Sequence, residues 1–119
     1  MPRPLIDYLI LDSVADDVES LEQIVPSLSR AISLWEINVP GGLFDRDEIA
    51  LSITRLVRDK LIEVVVANAD ENTMSPIGEG VQPEGNLDDY WFQMTGRGRI
   101  VHNDWVPPAE RENPSRFAT

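Results

Sequence analysis

Phe44-Asp45-Arg46-Asp47-Glu48-Ile49-Ala50-Leu51-Ser52-Ile53-Thr54-Arg55-Leu56-Val57-Arg58-Asp59 carries the strongest local signal in the chain. Asp45 has the side chain of a helix N-cap. Glu48 stands three residues on, where a carboxylate reaches back to the cap, and Phe44 and Ile49 are spaced to close over the first turn. From Arg46 to Asp59, the residues Ile49, Ile53, Leu56 and Val57 fall on one face of a helix. Asp47, Leu51, Thr54, Arg55 and Arg58 fall on the opposite face. The first set is expected to anchor the helix, and the second to be presented outward.

Downstream, Leu61-Ile62-Glu63-Val64-Val65-Val66-Ala67 is β-branched and reads as a strand, with Tyr90-Trp91-Phe92-Gln93-Met94 as its antiparallel partner. Asn68 to Asp89 is rich in Gly, Pro, Asn and Glu, too long for a tight turn and too polar for a core element. It is expected to be an extended, mobile loop. Thr95 can cap a last helix running through Arg99, Ile100, Val101 and Trp105. Gly96 and Gly98 would ease close approach to neighbours at a cost in helix propensity. Val106-Pro107-Pro108 stops any helix, so residues 107–119 are expected to be a flexible tail after a single domain at 1–106.

Upstream, Pro4 suits a helix start, and Leu5, Ile6, Leu9, Ile10 and Val14 follow helical spacing. Tyr8 and Leu11 make that segment apolar nearly all round, so a buried helix is expected, with a strand as the alternative. Asp16-Asp17-Val18-Glu19 and Ser20-Leu21-Glu22-Gln23 each place a capping side chain three residues ahead of Glu or Gln. A second helix should start near residues 17 to 20. Its stripe is Leu21, Ile24, Val25, Leu28, Ile32 and Trp35, and Pro26 predicts a kink or break near Val25. Asn38-Val39-Pro40-Gly41-Gly42 is a turn-rich connector. The fold class is therefore mainly α with a small antiparallel β hairpin.

Composition bounds the function. The chain has 119 residues, 21 acidic and 10 basic, a formal net charge of −11 and a pI near 4.3. That field repels polyanions unless a local basic cluster offsets it. With no cysteine, disulfides, thiolate nucleophiles and Cys-ligated zinc are excluded. No apolar run approaches the length of a membrane span, and Asp7 interrupts the N-terminal apolar residues where a secretion signal would need continuity. A cytoplasmic location is expected.

Helix, capped helix, hairpin and helix, with the phrases Leu56-Val57-Arg58-Asp59-Lys60-Leu61-Ile62-Glu63 and Phe92-Gln93-Met94-Thr95-Gly96-Arg97-Gly98-Arg99, resemble the winged helix-turn-helix superfamily over roughly residues 5 to 105. The resemblance implies a winged helix of three to four helices plus a wing. It makes residues 44–59 the recognition helix and Asn68 to Asp89 the wing tip. Lys60 departs from the family's usual left-handed glycine, at a cost of about 1 kcal/mol. The wing also departs in charge: Glu63, Asp70, Glu71, Glu79, Glu84, Asp88 and Asp89 occur between Leu61 and Gly96, with no lysine or arginine.

Two readings stand for Arg46, Arg55 and Arg58. They contact nucleic acid, or they form a solvated face neutralised by nearby carboxylates. Leu51 offers a partner surface, or is an ordinary apolar residue on a solvated surface, or packs beneath the first helix. Trp35, Trp91 and Trp105 are expected in the core rather than around a ligand. His102, the only histidine, is expected at the surface or as a cap; metal binding would require carboxylates such as Asp104. Asp16-Asp17-Glu19 and Asp88-Asp89 lack calcium-loop spacing, and Gly41-Gly42 and Gly78-Glu79-Gly80 lack the context of a phosphate loop. No catalytic residue, metal or cofactor is expected.

The leading expectation is a non-enzymatic interaction module that binds protein, or itself, through Arg46, Asp47, Leu51, Thr54, Arg55 and Arg58. The alternative is a transcriptional regulator that binds DNA as a dimer. What separates them is whether the three arginines converge on one exposed patch or are each held by a carboxylate.

Overall fold

A computed structural model describes residues 3–39, 41, 44–68 and 73–105. In chain order these form α1 (Leu5–Ser13), β1 (Glu19–Ser20), α2 (Leu21–Leu34), α3 (Arg46–Arg58), β2 (Ile62–Asn68), β3 (Thr73–Pro76), a 3₁₀ turn (Leu87–Asp89), β4 (Trp91–Met94) and α4 (Gly96–Asp104). The four helices stand where the periodicity puts them. The sheet is larger than the expected hairpin: four antiparallel strands in the order β1-β4-β2-β3 make the fold mixed α/β. β1 has only two residues, Glu19 opposite Phe92 and Ser20 opposite Trp91. It exists through its partner and has no periodicity of its own. β3 lies inside the polar segment and is held on β2 by its ladder and by the Asn68 amide, which donates to Ser75 Oγ at 2.7 Å.

α1 is a helix with an apolar, largely buried surface, and the strand alternative falls. The first capping phrase does not start a helix: Asp16 and Asp17 precede the strand β1, where the Asp17 carboxylate accepts the neighbouring Val18 N–H at 2.8 Å. The cap of α2 is Ser20, whose N–H donates to Gln23 Oε1 at 2.9 Å. α2 runs unbroken through Pro26, against the expected break. A proline so placed removes one backbone bond and costs about 3 kcal/mol. Burial of Leu21, Ile24, Leu28 and Ile32 on one face outweighs that loss.

α3 buries Ile49, Ile53, Leu56 and Val57, as its spacing requires, together with Ser52. Asp45 Oδ1 accepts the Glu48 N–H at 2.8 Å. The helix ends in a Schellman motif. Lys60 N–H donates to Val57 O and Leu61 N–H to Leu56 O, both at 3.0 Å, with Lys60 in the left-handed region at φ +64°. Lys60→Gly is expected to raise stability by up to about 1 kcal/mol, seen as a higher urea midpoint at constant slope.

α4 is fixed at its start by Thr95, whose hydroxyl donates to Lys60 O at 2.6 Å and accepts the Gly98 N–H at 3.0 Å. Gly98 lies against the Leu61 carbonyl, whereas Gly96 touches nothing nearby, so only one of the two glycines serves close approach. The helix stops at Asp104, short of Trp105. Trp105 stacks on Tyr8 with ring centroids 5.6 Å apart and meets Trp35 edge-on at 5.7 Å. Trp35 and Trp105 pack on the core, as expected; Trp91 does not. One contiguous core joins α1, α2, α3 and the inner sheet residues Leu61, Ile62, Val64 and Phe92. The expected tail at 107–119 lies outside the described residues.

Candidate functional site

The outward face of α3 is shaped by what flanks it. On one side lies α1, where Asp7 is fully buried. Asp7 Oδ1 accepts the Ser52 hydroxyl and Arg55 Nη2, each at 2.5 Å, and Oδ2 accepts Arg55 Nε at 3.0 Å and Arg3 Nη1 at 3.3 Å. Arg3 also reaches Asp59 Oδ2 at 2.8 Å, and Arg58 Nε reaches Asp59 Oδ1 at 3.1 Å. The result is an alternating ladder, Arg55–Asp7–Arg3–Asp59–Arg58, along the C-terminal half of α3. Arg55 is thus turned toward α1 instead of projecting freely, a correction to its place on the outward set. The hydrogen bonds that Arg55 donates to Asp7 push its guanidinium still further up from its ordinary value.

Hydrogen bonds from Arg58 and then Arg3 hold the Asp59 carboxyl below the usual carboxylate range. A carboxyl lowered on folding adds stability above its unfolded pKa and loses it as pH falls through the folded value. Asp59→Asn is therefore expected to lower stability at neutral pH and to flatten the acid limb of a stability-against-pH curve measured by urea unfolding. Parallel curves for the two proteins would contradict the ladder.

On the other side of α3 lies the segment expected to be extended and mobile. Its described part after β2, residues 73–89, is folded against the domain. The Gln82 side-chain amide donates to Thr54 O at 3.0 Å, Asp88 pairs with Arg46, and Lys60 carbons lie beside Gly80. Ile77, Leu87 and Tyr90 pack on the core, and the Tyr90 hydroxyl donates to Glu84 O at 2.6 Å. Apolar residues spaced at wide intervals hold this polar stretch down, and such spacing leaves no periodic signature.

All three arginines of the expected contact set are therefore held by carboxylates: Arg46 by Asp88, Arg55 by Asp7 and Arg58 by Asp59. What α3 leaves exposed is a strip: Arg46, Asp47 and Glu48 in its first turn, then Leu51, Thr54 and the outer part of Arg58. Leu51 is 65% exposed, which rules out packing beneath α1. Thr54 turns its hydroxyl back to Ala50 O at 2.9 Å. Asp7 and Ser52 escaped the sequence reading, yet a signal was present: one carboxylate in Leu5-Ile6-Asp7-Tyr8-Leu9-Ile10 is a charge inside an apolar helix and needs a partner.

His102 is a partly covered residue at the surface and its side chain caps no helix. Its Nε2 lies 2.9 Å from Asp12 Oδ1 and its side chain is mostly covered, so it ties α4 to α1 through Asp12 and not Asp104. Among the described residues, no three His, Cys, Asp or Glu side chains are grouped to hold a metal ion, and no helix is long and apolar enough to cross a membrane. Compared with known proteins, the chain matches no family model, no curated protein and no solved structure.

Proposed function

We propose that the chain is a non-enzymatic winged-helix interaction module that binds a protein partner, or a second copy of itself, through the outward strip of α3. The order of helix, capped helix, antiparallel strand pair and Thr-capped helix supports the winged-helix reading, as does the left-handed Lys60 at the corner where that family places glycine. The observation that carries the functional reading is the engagement of Arg46, Arg55 and Arg58 by Asp88, Asp7 and Asp59. A phosphate contact by any of them competes with a neighbouring carboxylate and proceeds against a net charge of −11. A buried-interface contact by Leu51 meets no such opposition.

Mobility shift of random duplex at low salt tests this. No retardation is expected at micromolar protein, and tight, salt-sensitive binding would favour a DNA-binding dimer instead. Leu51→Glu is expected to abolish self-association in light scattering, or partner binding where the wild type is monomeric. Unchanged association would remove the strip from consideration.

A further inference from the structure

The sheet joins the helical core through one face, that of Ile62, Val64 and Phe92. Strand alternation sends Ile62, Val64, Phe92 and Met94 inward and places Glu63, Val65, Trp91 and Gln93 on the opposite face. In the register, Ser20 stands opposite Trp91, Trp91 opposite Val65, and Val65 opposite Pro76, so one row crosses all four strands. Ala67 and Met74 face each other in the next row. Val65 is only 1% exposed yet lies outside the core cluster, consistent with Trp91 and Pro76 flanking it. Met74 is 41% exposed, and Trp91 is half-buried with no place in the core.

The border of this apolar row is negative. An open groove of about 620 Å³ runs beside Trp91, lined by Glu19, Glu22 and Asp88 with Arg30, and Asp88 is itself paired with Arg46, which leaves Glu19 and Glu22 as the carboxylates without an arginine partner among the described residues. Glu22 has no ion-pair partner among the described residues. The outer face itself carries Glu63, and no lysine or arginine occurs anywhere from Leu61 to Gly96.

From this charge complementarity we infer that the outer face of the sheet docks a basic amphipathic segment of a partner protein. Its apolar side chains cover Trp91, Pro76 and Met74, which flank the buried Val65, and its lysines or arginines lie toward Glu22 and over the Trp91 ring. Tryptophan is the strongest of the aromatic side chains in holding a cation. This surface is separate from the α3 strip and does not depend on the reading of that strip.

The test is a titration of the ¹⁵N-labelled full chain with a synthetic helical peptide bearing leucines on one face and lysines on the other. A counterpart carrying glutamates in place of the lysines serves as control. Saturable shifts at residues 63–67, 73–76 and 91–93 are expected with the lysine peptide alone. Met74→Lys, at an exposed edge position, and Trp91→Thr should each weaken binding by about tenfold. Asp104→Asn, which makes the same change in net charge as Met74→Lys, should leave the affinity unchanged, and so should Leu51→Glu. Shifts mapping to α3, equal binding of the glutamate peptide, or no effect of Met74→Lys would overturn the inference. Concentration-dependent broadening of the same amides without peptide would also overturn it, by giving the face to a second copy of the chain.

Discussion

Gly98→Ala is expected to destabilise the protein by about 3 kcal/mol or more, and to give little folded protein at physiological temperature. A Cβ at this position would stand 2.0 Å from the Leu61 carbonyl oxygen and 2.9 Å from its carbon. Neither is the free end of a side chain that can swing aside. Leu61 O also accepts the Thr95 N–H at 3.0 Å, so moving α4 away strains the contact that aligns the end of β4 with the start of β2. Gly96→Ala, two residues earlier, has nothing within 4 Å and is expected to be neutral or slightly stabilising through helix propensity. Urea unfolding of the two variants side by side separates backbone clash from loss of glycine as such. Equal stabilities would refute the close approach.

Asp7→Ala should cost about 3 kcal/mol, the scale found when one member of a buried ion pair is removed. For a domain of this size that lowers the melting temperature by more than about 10 °C. The variant leaves the Ser52 hydroxyl and Arg55 facing the space that Asp7 filled, and releases one of the two anchors of Arg3. Arg55 is only partly covered and can turn toward water, which keeps the loss at the lower end of that range. Pairing Asp7→Leu with Arg55→Met should recover most of the stability, because a matched apolar pair avoids desolvating charges. It also clears one carboxylate–arginine pair from the border of the α3 strip. Full additivity of the two single effects would show that Asp7 and Arg55 do not act as a unit.

Both predictions rest on contacts that local reading does not supply. The face of α3 was legible because a helical period of 3.6 places Ile49, Ile53, Leu56 and Val57 together whatever surrounds them. Its start and that of α4 were legible because a cap is chemistry within three residues, as Asp45 with Glu48 and Thr95 with Gly98 show. The direction of Arg55 was not legible, since Asp7 lies far away in the chain. Nor was the bearing of Trp91: a four-residue strand shows alternation but not which face meets the helices. His102 found Asp12 for the same reason, through the packing of α4 on α1.

Sequence alone determined the four helices, the β2–β4 pairing, the acidic field and the chemistry of the caps, because each depends on neighbours in the chain or on composition. Only the tertiary structure decided that α2 passes Pro26 unbroken, that β1 and β3 complete a four-stranded sheet, and that Gln82 in the polar stretch after β3 reaches α3. It likewise decided that Arg46, Arg55 and Arg58 are each held by a carboxylate. These outcomes depend on burial and on pairs of charges distant in sequence, and their energies exist only once the chain has closed upon itself.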